Sequence, residues 1–277
     1  MKQVDLNDWV LNGAGYFGKS YFHKTDDTIL LKMMSKDFPV SSLEEEYRLA
    51  TIVYGMGIPT PKPGDLVTDG NCCGLTYERM ADKVSFARAV GQTPEKTEEL
   101  AVMFARMVKL LHTTKCNTEC PYVKDVYSYW IGKNSFRSEA FKNRALDLLH
   151  SLPDGDTCLH GDLHFGNAII SRGKGYFIDL GSFSRGYPLF DMGMMMGILS
   201  FGEAFPDFFE ENYHCTVAQG REFWHSFLRE YFNPDIDIAA KEKELIPYLA
   251  LRQVCVEPMM GKPLPEEDCG ATFAMFR

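Results

Sequence analysis

The chain has 277 residues, 45% hydrophobic and 24% charged, which is enough to bury a sizeable core in one large domain or two lobes. Its formal net charge of −9 disfavours a nucleic-acid partner and permits a cationic small molecule drawn to an acidic cleft. No apolar run approaches the roughly 20 residues that cross a bilayer, Met1 to Val10 lacks an apolar signal core, and the eight cysteines follow no disulfide-framework spacing. Together these predict a cytoplasmic chain with reduced thiols and no membrane partner; the oligomeric state is left open.

Asp8 to Leu11 leads as a short strand into the glycine cluster Gly13 to Gly18. Ser20 to His23 follows, then a turn at Thr25-Asp26-Asp27 and a strand from Thr28 to Met33. Apolar and β-branched residues bounded by turn formers predict a strand meander. Ser41, with Glu44 three residues on, predicts a capped helix start, and the helix runs to about Tyr54 before Gly55 and Gly57. Pro59, Pro61 and Pro63 make Ile58 to Pro63 an extended connector. Leu66-Val67 and Cys73 to Tyr77 read as strands around the turn Thr68 to Asn71.

After Met80 the pattern turns helical. Glu98 to Leu111, Val126 to Trp130 and Ala140 to Leu152 read as helices. Thr157 to Leu159 is a short strand feeding a loop at His160, and Ala168 to Ile170 with Gly175 to Ile178 form a hairpin around Ser171 to Lys174. Further helices are predicted at about 191–201, 203–213, 219–231 and 237–256. The expected division is at Glu78-Arg79-Met80, with a sheet lobe over 1–78 and a larger, mainly helical lobe over 79–277, an α+β fold.

Two linked loops carry the chemistry. His160-Gly161-Asp162-Leu163-His164-Phe165-Gly166-Asn167 sets an amide five residues after an acid, and Ile178-Asp179-Leu180-Gly181 ends an apolar run in a second acid. Phosphoryl transfer from ATP needs this set: a carboxylate to orient and deprotonate a hydroxyl, and hard oxygen ligands for Mg2+ on the phosphates. Asp162 is the expected base, Asn167 and Asp179 are the expected Mg2+ ligands, and His160 braces the loop. His164, a second catalytic candidate, either contacts phosphate or packs.

Gly13, Gly15 and Gly18 fit the Gly-x-Gly-x-x-Gly pattern. Between two strand-like segments they predict a lid whose backbone N–H groups approach phosphates. A dinucleotide site would need a helix opening at the last glycine, and an ordinary hairpin turn is the plainer alternative. Lys32 ends the run Ile29-Leu30-Leu31 and is placed to neutralise the α- and β-phosphates, provided a helix supplies a carboxylate to hold it. Of Glu44, Glu45 and Glu46, the last is chosen, because Leu49, Ala50 and Val53 then form the buried face beside it. Glu78 and Met80, in the linker after Leu75, offer backbone groups to an adenine edge.

These residues together resemble the aminoglycoside phosphotransferase and choline kinase family of kinase-like folds. The resemblance rests on the glycine lid, Lys32, Glu46, Ile58-Pro59-Thr60-Pro61, the helix ending at Leu111-His112, and the two loops; Gly186 to Asp191 is similar as well. It implies a protein-kinase-like bilobal fold, with a small antiparallel-sheet N-lobe carrying one helix and a mainly helical C-lobe. It implies ATP and Mg2+, transfer of the γ-phosphoryl group to a hydroxyl of a small molecule, and an aspartate at 191 that opens a helix and braces the core. Gly161, His164 and Leu180 replace residues typical of protein kinases, and no Ala-Pro-Glu follows, which turns the expectation away from protein substrates.

The acceptor stays open among an aminoglycoside, choline, homoserine, a pentose and a fructosamine. Glu203, Asp207, Glu210 and Glu211 on one helical stripe suit an amine-rich acceptor or a solvated face. Trp224, Tyr231, Phe273 and Phe276 suit a cage for a quaternary ammonium or core packing. His112, Cys116 and Cys120 recur every four residues with ligand types that zinc accepts, although Asn117 and Pro121 interrupt a helix there. Two other readings are a catalytically silent nucleotide-binding regulator, which the presence of Lys32, Asp162 and Asp179 disfavours, and an atypical protein kinase.

Overall fold

The structure, a computed structural model, describes residues 1–14 and 18–277, with side chains throughout these except at 266–268. In chain order the elements are β1 (Lys2–Gln3), β2 (Trp9–Ala14), β3 (Gly18–His23), β4 (Ile29–Met34), α1 (Val40–Gly55), β5 (Pro63–Thr68), β6 (Cys73–Glu78) and β7 (Val84–Ser85). Next come α2 (Phe86–Gln92), α3 (Thr97–Thr113), α4 (Val123–Lys133), α5 (Glu139–Ser151), β8 (Thr157–Leu159), β9 (Ala168–Ser171), β10 (Lys174–Phe177) and β11 (Ser184–Gly186). Then follow α6 (Leu189–Ala204), α7 (Pro206–Tyr213), α8 (Val217–Tyr231), α9 (Ile238–Met260) and α10 (Glu266–Phe273).

Two compact units form, one from Met1–Val84 with Ala168–Ser182 and the other from Ser85–Asn167 with Phe183–Arg277. These units are discontinuous, whereas the lobes read from sequence are contiguous and divide at 78/79. The hairpin that carries Asp179 groups with the sheet because the Phe177 N–H donates to the Pro59 carbonyl and Gly181 lies against the Glu46 side chain.

In the first unit a six-stranded sheet runs β1-β5-β6-β4-β3-β2. Pairing is antiparallel except where Lys2 and Gln3 run parallel to Val67 and Thr68. The sequence gives no sign of that strand, since two polar residues show no alternation. Alternation along β4 is clear: Leu31 and Met33 join Val67 on one face, while Met34 joins Leu43 and Leu75 on the other. Lys32 shares the face of Met34, which α1 covers through Leu43. α1 buries Leu43, Glu46, Leu49, Ala50 and Val53, the three-and-four spacing of one helical face. Its N-cap is Pro39, which forms no side-chain cap bond, rather than the expected Ser41. Proline pre-sets the backbone, and the helix opens one residue before Ser41. It ends at Gly55, with Gly57 at a φ of 77°.

The second unit is mainly helical. α3 packs on α8 and α6 on α9. Phe104 is the hub, touching Phe86, Phe223 and Phe227 at ring separations of 5.4–5.6 Å. α8 opens with a capping box of Thr216 and Gln219. Met192, Met194, Met195 and Met196 fill the core around α6. The short elements α2, α10, β7 and β11 show no period long enough to read. α9 runs through Pro247 and Pro258 to Met260, past the expected end at 256. Among the described residues no helix is long and apolar enough to cross a membrane.

Candidate active site

In the first unit, the strand alternation of β4 and the buried face of α1 bring Lys32 and Glu46 together. Lys32 Nζ lies 2.9 Å from Glu46 Oε1 and 2.6 Å from Asp179 Oδ1. Tyr77 on β6 donates its hydroxyl to the same Glu46 oxygen at 3.0 Å. Burial alone would pull the Lys32 ammonium down; the carboxylates of Asp179 and Glu46 reverse this and hold it above the ordinary lysine range. Burial, reinforced by Glu46, pushes the Tyr77 hydroxyl well up, so it stays a proton donor. Asp179 adopts a φ of 58°, an uncommon backbone for a non-glycine residue, and opens the tight turn Leu180–Ser182. Its side chain is 47% exposed, so its carboxylate can meet solvent and ions as well as Lys32.

Gly13 sits within β2, just past a register irregularity, and pairs with Ser20. Gly18 opens β3 opposite Met34, where a Cβ would stand 2.2 Å from the Met33 carbonyl oxygen; only glycine allows that approach. Gly15 falls outside the described residues. The Glu78 N–H donates to the Lys62 carbonyl, which removes it as a spare donor, and Met80 lies in the irregular stretch that follows.

In the second unit, Leu163 and Phe165 are buried and anchor the loop of residues 160–167, with Phe165 stacked on Tyr213 and Phe223. Asn167 Nδ2 donates to the Asp162 carbonyl and to Asp162 Oδ2, both at 3.0 Å, which leaves Asn167 Oδ1 as the acceptor atom. Arg252 on α9 donates from Nη2 to Asp162 Oδ1 at 3.1 Å. Burial opposes the Arg252 charge and Asp162 restores it, leaving the guanidinium above its ordinary range. The Tyr213 hydroxyl is pushed up by burial and by the Asp162 charge. His164 Nδ1 accepts the Gly166 N–H at 3.1 Å, and the ring meets Tyr213 edge-on.

Asp191 braces this loop from the first turn of α6. It accepts the His160 N–H at 2.7 Å, the Gly161 N–H at 2.8 Å and His112 Nε2 at 3.0 Å. His112 meets the Tyr231 hydroxyl through its other nitrogen at 2.8 Å. Both ring nitrogens are therefore engaged within the protein, which removes His112 from a zinc set. Trp224, Phe273 and Phe276 are fully buried, so core packing accounts for them. Glu203 on α6 pairs with Arg221, while Asp207, Glu210 and Glu211 are exposed on α7, so the four are divided between two helices.

Sequence reasoning named Lys32, Glu46, Asp162, Asn167 and Asp179; the structure brings Lys32, Glu46 and Asp179 together in the first unit and Asp162 and Asn167 together in the second. It missed Tyr77 and Arg252. A lone tyrosine on a strand and a lone arginine on a long helix carry no local signal; only tertiary contact selects them. Asp179 offers a carboxylate and Asn167 an amide oxygen, each a hard donor of the kind Mg2+ takes.

The family model described as the phosphotransferase enzyme family matches residues 8–227. No curated protein matches the sequence significantly. Among solved structures, a thermostable mutant of aminoglycoside phosphotransferase APH(4)-Ia aligns at a TM-score of 0.62 and 13% identity, covering 97% of this chain and 92% of that one. Choline kinase LicA from Streptococcus pneumoniae aligns at 0.60 and 12% identity, covering 98% and 94%. An aminoglycoside-3'-phosphotransferase of type VIII aligns at 0.60 and 21% identity, covering 89% and 93%. These likenesses establish a kinase-like α+β fold. With the family model reaching from β2 into α8, the chain belongs to the phosphotransferase enzyme family and is a phosphotransferase with a kinase-like fold.

Proposed function

We propose that the enzyme transfers the γ-phosphoryl group of ATP, with Mg2+, to a hydroxyl of a small molecule in the cytoplasm. The observation that supports this most is the pairing of Lys32 with both Glu46 and Asp179, which holds a cation on the sheet unit and presents Asp179 beside it. Lys32 neutralises phosphate charge, and Glu46, fixed by Tyr77, keeps the ammonium in place. Gly13, Gly15 and Gly18 are the proposed lid glycines, and backbone groups at Glu78 and Met80 meet the base, through the Glu78 carbonyl since its N–H is committed.

Asp162 orients the acceptor hydroxyl and receives its proton. A bond forms from the acceptor oxygen to the γ-phosphorus, the bond from the β–γ bridging oxygen breaks, and ADP leaves with the electron pair. Asn167 and Asp179 are the proposed Mg2+ ligands; when bound, the ion neutralises phosphate charge. His164 steadies the loop by accepting the Gly166 N–H, and its ring is the second catalytic candidate, a contact to phosphate. An ADP complex of the phosphotransferase APH(2'')-Ib and a complex of APH(3'')-Id from Streptomyces rimosus with ADP and streptomycin lend support to the nucleotide and to a small-molecule acceptor. The acceptor class we favour is an amino-sugar or amino-alcohol, in keeping with the acidic chain.

The test is ADP release from MgATP across a panel of amino-sugars and amino-alcohols, with Asp162→Ala as control. Acceptor-dependent release by the wild type and none by the variant, with nucleotide binding retained, is expected. Equal turnover by the variant would refute the assignment.

A further inference from the structure

We propose that Arg252 is a positioning residue for phosphoryl transfer, holding the Asp162 carboxylate in the orientation that receives the acceptor proton. The inference rests on the reading of Asp162 as the base. The carboxylate has a named donor on each oxygen: Asn167 Nδ2 at 3.0 Å on Oδ2 and Arg252 Nη2 at 3.1 Å on Oδ1. One comes from the loop itself and the other from α9, ninety positions away in the chain. An aspartate χ2 is a broad, two-fold rotor, so a single donor leaves the plane of the carboxylate loosely set and two donors fix it. Each oxygen keeps a lone pair for the acceptor.

Three observations distinguish this from a stabilising ion pair. The Arg252 side chain is only 12% exposed, and its Nε is buried without a hydrogen-bond partner among the described residues, an arrangement that costs stability. Asp162 is 33% exposed, so water could satisfy its charge without an arginine. The neighbouring Tyr127 and Cys255 are buried and would pack as well against an uncharged chain. A charge kept at such a cost, aimed at one carboxylate, is accounted for by orientation.

The experiment measures MgATP hydrolysis by the full chain with water as acceptor, the products being ADP and inorganic phosphate, in wild type, Arg252→Gln, Arg252→Lys and Asp162→Asn. Arg252→Gln should lower kcat by about tenfold or more with KM for ATP unchanged, because a misaligned group slows the reacting step and leaves nucleotide binding alone. Arg252→Lys should recover part of the rate, and both should melt at or above the wild-type temperature. If Arg252→Gln hydrolyses ATP at the wild-type rate, or slows only in step with a lower melting temperature, while Asp162→Asn is inactive, the positioning role is overturned and the base assignment stands. If Asp162→Asn keeps the wild-type rate, or the wild type releases no phosphate, the base assignment falls and the proposal falls with it.

Discussion

Lys32 and Asp179 are 147 positions apart in the chain, and their charged atoms stand 2.6 Å apart. The contact joins the central strand of the sheet to the turn after β10, with Glu46 as the second carboxylate on the same ammonium. One ammonium thus serves two carboxylates, of which Glu46 is the buried one.

Replacing Lys32 by Ala leaves Glu46 buried at 5% exposure, with the Tyr77 hydroxyl still donating to it. The expected loss of stability is about 2 kcal/mol, below that of a fully buried pair because the Lys32 side chain is 26% exposed. KM for ATP should rise as well. Lys32→Arg keeps the charge and should recover stability better than activity, since a planar guanidinium cannot reproduce a point ammonium. Denaturant unfolding and ATP titration check both, and an unaltered midpoint for Lys32→Ala would contradict the pairing.

Metal removal gives a separate test. Chelation with EDTA should stop turnover and added Mg2+ should restore it. Asp179→Asn should raise the Mg2+ concentration needed for half-maximal rate, because an amide is a weaker ligand than a carboxylate. An Asp179→Asn enzyme with an unshifted Mg2+ requirement would remove Asp179 from the metal.

The parts that sequence made legible share a physical character. Lys32 and Glu46 were readable because strand and helix periodicity dictate which face each residue occupies, and Asp162, Asn167 and Asp179 because their spacing is set by local loop mechanics. Arg252 was not legible: its partner is ninety positions away and nothing in α9 marks it out. The Ser41 cap failed because Pro39 fixes the helix entry before any side-chain cap is needed. The grouping of 168–182 with the sheet was hidden because it depends on Gly181 meeting Glu46, a contact between segments distant in sequence.

Alkaline pH should destabilise the fold through buried thiols. Burial pushes Cys255 from 9.0 up to about 12, against the opposing charge of Arg252. The folded state therefore keeps this proton after the unfolded chain has released it, and stability falls as pH rises above 9.0. At pH 10.5 a single such thiol costs about 2 kcal/mol. Cys255→Ala should lose less stability than wild type between about pH 8 and pH 10.5. Parallel melting curves for the two proteins over that range would rule the thiol out as a source.

Asp191 ties the entry of the loop that bears Asp162 to α3. It is 1% exposed and accepts the backbone N–H groups of His160 and Gly161 together with His112 Nε2. Asp191→Ala strands these donors in a buried setting, and the cost of leaving such groups unpaired sums to about 3 kcal/mol or more. Because two of them are the backbone entry to the loop that bears Asp162, kcat should fall along with stability. Asp191→Asn retains one oxygen acceptor but turns an amide toward donors, so it should fall between wild type and alanine. His112→Gln keeps a donor for Asp191 while giving up the ring contact to Tyr231, and should cost less than Asp191→Ala in both respects. Unfolding midpoints and turnover measured on the three variants would show Asp191→Ala as the worst in each. If His112→Gln were the more damaging, the brace would lie in the His112–Tyr231 contact and not in the carboxylate that caps the loop.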